Sequence, residues 1–119
     1  MKKFLQSVGF GLAGLMFVTR TESNMRWHWL AAVVVAISGF CFGINPFEWA
    51  LVVGCIGLVF ALECFNTSIE RLADRVTDQE DPLIKQSKDA AAGAVLAASI
   101  ASAVIGAIVF LPRLWALFQ

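Results

Sequence analysis

Charged side chains are scarce in this sequence: Asp, Glu, Lys and Arg make up 15% of its 119 residues, against roughly 25% in an ordinary soluble domain. That shortage excludes a water-facing surface over much of the chain. With 59% hydrophobic residues and a mean hydropathy of +0.76, hydrocarbon is the solvent the composition calls for. No G-x-x-x-x-G-K-[ST] loop, no kinase catalytic-loop signature and no G-x-G-x-x-G after a strand occurs, which excludes a soluble nucleotide-binding domain. The single histidine, His28, has no Ser or Cys nucleophile in a defensible arrangement, which argues against a hydrolase triad and leaves it as an interfacial side chain. Cys41, Cys55 and Cys64 all lie in apolar stretches without metal-ligand spacing, so they read as small buried hydrophobes and no disulfide is expected. Acidic and basic residues balance at nine each, which gives no sign of a nucleic-acid partner, and none is expected. After Lys2 and Lys3 the chain reaches Arg20 without a strong cleavage site, so this stretch does not read as a signal peptide.

What is present is a series of apolar runs. Residues 3–19 place Phe4, Val8, Leu12 and Leu15 at helical spacing, and they predict an amphipathic helix lying on the membrane surface. A run from His28 to Ile44 forms the first span, and Asn45-Pro46 ends it because proline biases the residue before it away from helix. The second span covers about 47–70 and the third about 90–111, while the charged, Asp-Pro-containing residues 76–89 read as a solvent loop. Trp27, Trp29 and Trp49 stand where interfacial aromatics are expected. The third run is rich in Ala, Gly and Ser, which lets helix backbones approach closely within a bundle or against a second subunit. Lys2, Lys3, Arg20, Arg26, Arg71, Arg75, Lys85 and Lys88 flank one side of the spans and only Arg113 the other. By the positive-inside rule the N-terminus and the 71–89 segment are cytoplasmic. There is no internal repeat, so the expectation is one all-α membrane domain over 1–119.

Glu63, Asn66, Glu70 and Asp74 recur at i, i+3, i+7 and i+11, which confines them to one helical arc about 80° wide. An ionisable group inside a membrane helix costs about 2.5–3.5 kcal/mol on insertion scales, so it normally faces a bundle interior and serves a function. Glu63 is the deepest of the four; Glu70 and Asp74, nearer the end, are equally open to a snorkelling reading. Two further polar clusters, 21–26 and Lys88-Asp89, fall at the same depth. Glu22 and Glu70 could supply oxygens to magnesium, which takes one or two carboxylates alongside water and substrate phosphates, and Lys88 could neutralise phosphate. Taken singly, Lys88 and Arg26 are accounted for by positive-inside anchoring; it is the convergence of three clusters that points to a site. A rival reading is a small ion or proton transporter using Glu63 and Glu70 as a relay. Such a relay needs polar groups through the whole bilayer, and the spans offer only Glu48 and a few serines.

Three motifs, T-E-S-N-M-R-W-H at 21–28, E-C-F-N-T-S-I-E-R-L-A-D at 63–74 and K-D-A-A-A-G-A-V at 88–95, resemble in order and spacing those of the small prokaryotic lipid kinases, which include diacylglycerol kinase and undecaprenol kinase. The resemblance covers nearly the whole chain. It implies Glu63 as general base with Asn66 positioning it and Asp74 in support, and Glu22 and Glu70 as ligands of the Mg2+ that carries ATP. It further implies that Lys88 and Asp89 contact the nucleotide, with Phe10 and the loop residues Gln79, Glu80 and Asp81 near it. Asn24 and Arg26, with Glu63, fall on the substrate side. It also implies a homotrimer in the bacterial inner membrane. The first and third motifs look more like the Gram-positive undecaprenol kinase branch than the Gram-negative diacylglycerol kinase branch.

Overall fold

The computed structural model describes residues 1–119 and contains four helices and no strand: α1 Lys2–Thr21, α2 Ser23–Phe42, α3 Pro46–Val76 and α4 Pro82–Ala116. α2, α3 and α4 are each long and apolar enough to cross a membrane. Helices are the expected solution there, because every backbone donor and acceptor in hydrocarbon has to be satisfied within the segment. α1 is exposed along nearly its whole length, with only Val18 buried, as befits a helix that lies against a surface.

Each junction is set by local chemistry. α1 and α2 are separated by one extended residue, Glu22 (φ −107°, ψ 119°). The Arg26 guanidinium reaches back to donate to the Thr19 and Arg20 carbonyls at 3.3 and 3.0 Å, satisfying acceptors that a helix end leaves free. The Trp29 indole donates to Thr19 Oγ1 at 3.0 Å, so both side chains fix the bend. α2 stops at Gly43 (φ 62°, ψ 48°), where Ile44 N–H donates to the Gly39 carbonyl and Gly43 N–H to that of Phe40. That is the bond pattern of a Schellman termination, which requires the left-handed conformation glycine tolerates. α3 opens with a capping box, Asn45 Oδ1 accepting from Glu48 N–H and Glu48 Oε1 from Asn45 N–H, and with Pro46 at its first position.

The second and third spans belong to longer helices than the apolar runs. α3 continues through the charged residues 71–75 to Val76, and α4 begins at Pro82 rather than near 90. The expected loop over 76–89 therefore shrinks to 77–81. Asp81 is the reason: its carboxylate accepts from Leu83 and Ile84 N–H, and Pro82 takes the first helical turn, where its missing N–H costs nothing. Asp-Pro here starts a helix. At 35 residues α4 is about 52 Å long, well beyond a hydrocarbon core of about 30 Å, so its charged first turns stand in water. The helix of the first span is also longer than its apolar run, beginning earlier, at Ser23, and ending two residues short of the expected end, at Phe42.

The most extensive packing is between α3 and α4, with α2 against α3 and α1 touching both α2 and α3. At the end remote from the charged segments, Ile44, Val52 and Val109 form a small core flanked by Val35, Trp49 and Ile105. There Arg113 of α4 places both terminal nitrogens on the Glu48 carboxylate at 2.7 and 2.8 Å, a two-point geometry that ties α4 to the start of α3. Trp49, expected at the interface, is half-buried over Gly39 and tilted against Phe40 at 4.8 Å between ring centres. Only 13 residues are buried, so most apolar side chains remain for lipid or a further subunit to cover.

A Cβ on Gly39 would lie 2.7 Å from the Trp49 ring. Gly39→Ala is expected to destabilise the protein by about 1–3 kcal/mol in detergent unfolding, and an unchanged midpoint would show that Trp49 moves aside freely.

Candidate functional site

The polar arc of α3 grades from dry to wet along the helix. Glu63 and Asn66 are buried, Glu70 is half-buried and Asp74 is exposed. Thr67, one turn after Glu63, is buried with them at 1% exposure. Four buried polar atoms have no hydrogen-bond partner within the chain: Glu63 Oε2, Asn66 Oδ1, Thr67 Oγ1 and His28 Nε2. Buried polar groups are nearly always paired, so a cluster of this kind marks a site for a ligand or water.

His28, expected only as an interfacial side chain, has a specific neighbour: its Nε2 lies 3.6 Å from Glu63 Oε2. The signal available was its membership of the 21–28 motif, which periodicity alone does not interpret. Glu63, Asn66 and His28 line a cavity of about 260 Å³ together with Asn24, Trp27, Ala92, Val95, Leu96 and Ser99. The small residues of α4 thus make room beside the carboxylate. A second, apolar slot of about 310 Å³ runs away from it between α2, α3 and α4, walled by Val35, Val52, Ile56, Val59, Phe60 and Ile105 and sharing His28 and Ser99 with the cavity. Beyond His28 it contains no acidic or basic side chain, so no carboxylate relay continues from Glu63 along it.

On the water side, Glu22 and Glu70 are the acidic groups whose charge reaches Glu63, and Glu22 Oε1 lies 3.6 Å from Arg71 NH2. Arg71 in turn stacks over Phe17 at 5.0 Å, which joins α1 to this end of α3. No group of three or more His, Cys, Asp or Glu converges to hold a metal ion by itself. Magnesium does not need one: a carboxylate pair such as Glu22 and Glu70, with phosphate oxygens and water, suits its chemistry.

The remaining candidates are distributed as follows. Lys88 is bonded to Asp74 across α3 and α4, while Asp89 pairs with Lys85 one turn back. Gln79, Glu80 and Asp81 are exposed in the short linker, with Asp81 committed to capping α4. Asn24 lines the cavity. Arg26 does not, because its guanidinium is turned onto the end of α1. Phe10 is exposed on α1 and is absent from the groove of about 710 Å³ that Val8, Leu12, Leu15 and Val18 form with Cys64, Thr67, Ser68 and Arg71.

A buried carboxylate in a cavity that adjoins an apolar slot is suited to taking a proton from a hydroxyl presented by an apolar molecule. The family model for prokaryotic diacylglycerol kinase matches residues 9–110. The chain is 40% identical over 114 residues to the undecaprenol kinase of Bacillus subtilis, covering 96% of this chain and 93% of that protein. It is 33% identical over 114 residues to a diacylglycerol kinase of Synechocystis, covering 95% of this chain and 65% of the relative. To the diacylglycerol kinase of Pseudomonas aeruginosa it is 33% identical over 89 residues, 75% of this chain and 72% of the relative.

Because Thr67 Oγ1 is buried without a partner, Thr67→Val exchanges an unsatisfied hydroxyl for a methyl of the same shape. The unfolding free energy in detergent should stay within about 1 kcal/mol of wild type or rise; a loss above about 2 kcal/mol would mean that the hydroxyl is bonded in the folded protein.

Proposed function

The chain belongs to the prokaryotic diacylglycerol kinase family, and from that premise we propose that it moves the γ-phosphate of ATP, as the magnesium complex, onto the hydroxyl of a membrane lipid. As a member it is a phosphotransferase with an alcohol acceptor. The observation that carries the lipid reading is the position of Glu63, buried in a polar cavity that shares His28 and Ser99 with an apolar slot. A lipid alcohol satisfies both at once, its hydrocarbon in the slot and its hydroxyl beside the carboxylate.

Phosphoryl transfer depends mainly on alignment and on neutralising phosphate charge. Glu63 accepts the hydroxyl proton as the lipid oxygen bonds to the γ-phosphorus and ADP leaves. Asn66, three residues on, orients the carboxylate, and Asn24 faces the substrate from α2. Glu22 and Glu70 would hold Mg2+, which supplies charge neutralisation on the phosphates. Lys88, released from Asp74, approaches the phosphates, with Asp89 beside it. Phe10 and the 79–81 linker lie on the nucleotide side. Arg26 contributes to the substrate side through the bend it fixes. The Ala-, Gly- and Ser-rich surface of α4 and the many exposed apolar side chains support assembly into a homotrimer. The distribution of Lys and Arg supports an inner-membrane protein with its N-terminus in the cytoplasm.

Of the two lipids, undecaprenol is favoured by the 21–28 and 88–95 motifs and by the identity to the Bacillus subtilis protein. The test is transfer of labelled γ-phosphate from Mg-ATP in detergent micelles, with undecaprenol and diacylglycerol supplied side by side. Preferential labelling of undecaprenol is expected. Preferential labelling of diacylglycerol would reverse the choice of lipid, and labelling of neither would overturn the kinase reading.

A further inference from the structure

We infer that His28 is the positioning residue of Glu63, its imidazole Nε2–H turning the carboxylate toward the cavity and holding it there for the incoming hydroxyl. The inference rests on the kinase reading for its kinetic consequence, though the contact itself does not.

Glu63 has a 2% exposed side chain in contact range of one nitrogen, His28 Nε2 at 3.6 Å, and both atoms lack any other partner. That separation is slightly beyond a direct hydrogen bond, so a small rotation of either side chain, or one water, joins them. A carboxylate is acceptor-only, and a neutral imidazole can present N–H at one ring nitrogen, so donation from Nε2 to Oε2 satisfies both orphan atoms. The other donors that line the cavity, Asn24, Trp27, Asn66 and Ser99, place no N–H or O–H within hydrogen-bond distance of Oε2. From α4 the cavity receives only Ala92, Val95, Leu96 and Ser99, none of them titratable. From α2 it receives Asn24 and Trp27 besides His28. The acidic groups acting on Glu63, Glu22 at the α1–α2 junction and Glu70 on α3, repel its charge, and Cys64 adjoins it in sequence. The nearby basic groups are committed elsewhere, Arg71 to Glu22, Lys88 to Asp74 and Arg26 to the end of α1. His28 alone orients the carboxylate from the α2 side, at the neck shared by the cavity and the apolar slot. There it meets the lipid where headgroup gives way to hydrocarbon.

The chain has one histidine, so the ring nitrogens of a 15N-labelled protein carrying a histidine-free tag need no assignment. In detergent micelles at neutral pH, the proton is expected on Nε2, and Glu63→Leu should move the Nε2 signal. An Nε2 signal unmoved by that change would overturn the contact, whether or not the protein turns over any lipid. In the phosphate-transfer assay, His28→Ala is expected to lower kcat by about a hundredfold with KM for Mg-ATP within about twofold of wild type. His28→Gln, whose amide nitrogen reaches the same place, should restore most of the loss. Equal losses in both variants, or an effect confined to KM, would reduce His28 to a packing role and overturn the inference. Wild type inactive on both lipids would instead count against the kinase reading, leaving the nitrogen spectra to decide the contact.

Discussion

A carboxylate that must stay buried at the end of the apolar stretch of a membrane helix constrains nearly everything else in this molecule. Glu63 is 1% exposed on a helix whose preceding sixteen positions, 47–62, carry Glu48 as their only charge. Removing a carboxylate from water is costly unless other polar groups or a ligand take over from the solvent. α3 therefore places Asn66 and Thr67 on the same face, α2 delivers His28 against it, and α4 recedes to Ala92 and Ser99 so that the pocket stays open. Large side chains in α4 at those positions would close the cavity on the unpartnered atoms of Glu63, Asn66 and His28.

Helix length turns this buried group into part of a site that two phases can reach. α3 and α4 run past the apolar zone by several turns on the charged side, carrying Glu70, Asp74 and Lys88 out toward water. The bend at Glu22 brings α1 back alongside α3, where Arg71 bonds Glu22 and stacks on Phe17. Groups suited to phosphate thus lie on the water side of Glu63, and the apolar slot lies on its other side. At the opposite end, the Glu48–Arg113 pair and the Gly39–Trp49 contact hold α2, α3 and α4 together, so the working end can remain loosely filled.

The chain's hydrophobic runs made the three spans and the all-α class legible, and the spacing of Glu63, Asn66 and Glu70 made the polar face legible, because helical periodicity converts directly into a shared surface. Helix ends were less so: the residues of 71–75 and 82–89 are polar because they face water, and polarity without periodicity is easily read as loop. Asp81-Pro82 illustrates the ambiguity, since the same dipeptide serves a turn or an N-terminal cap. His28 and Arg26 escaped for a different reason. Which way each points depends on the Glu22 bend and on the neighbour across it, a tertiary fact that one-dimensional spacing does not contain. Thr67 could have been found, since it lies four residues from Glu63 and so on the same face.

The most direct measurement is the turnover of purified Glu63→Gln, a change that keeps the shape of the side chain and removes its capacity as a base. With the helical content and micellar assembly of wild type, its rate of γ-phosphate transfer to lipid should fall by at least about a hundredfold, the lower range of what a positioned general base contributes. Transfer at the wild-type rate would contradict the assignment of Glu63 and, with it, the reason offered for keeping a carboxylate buried there.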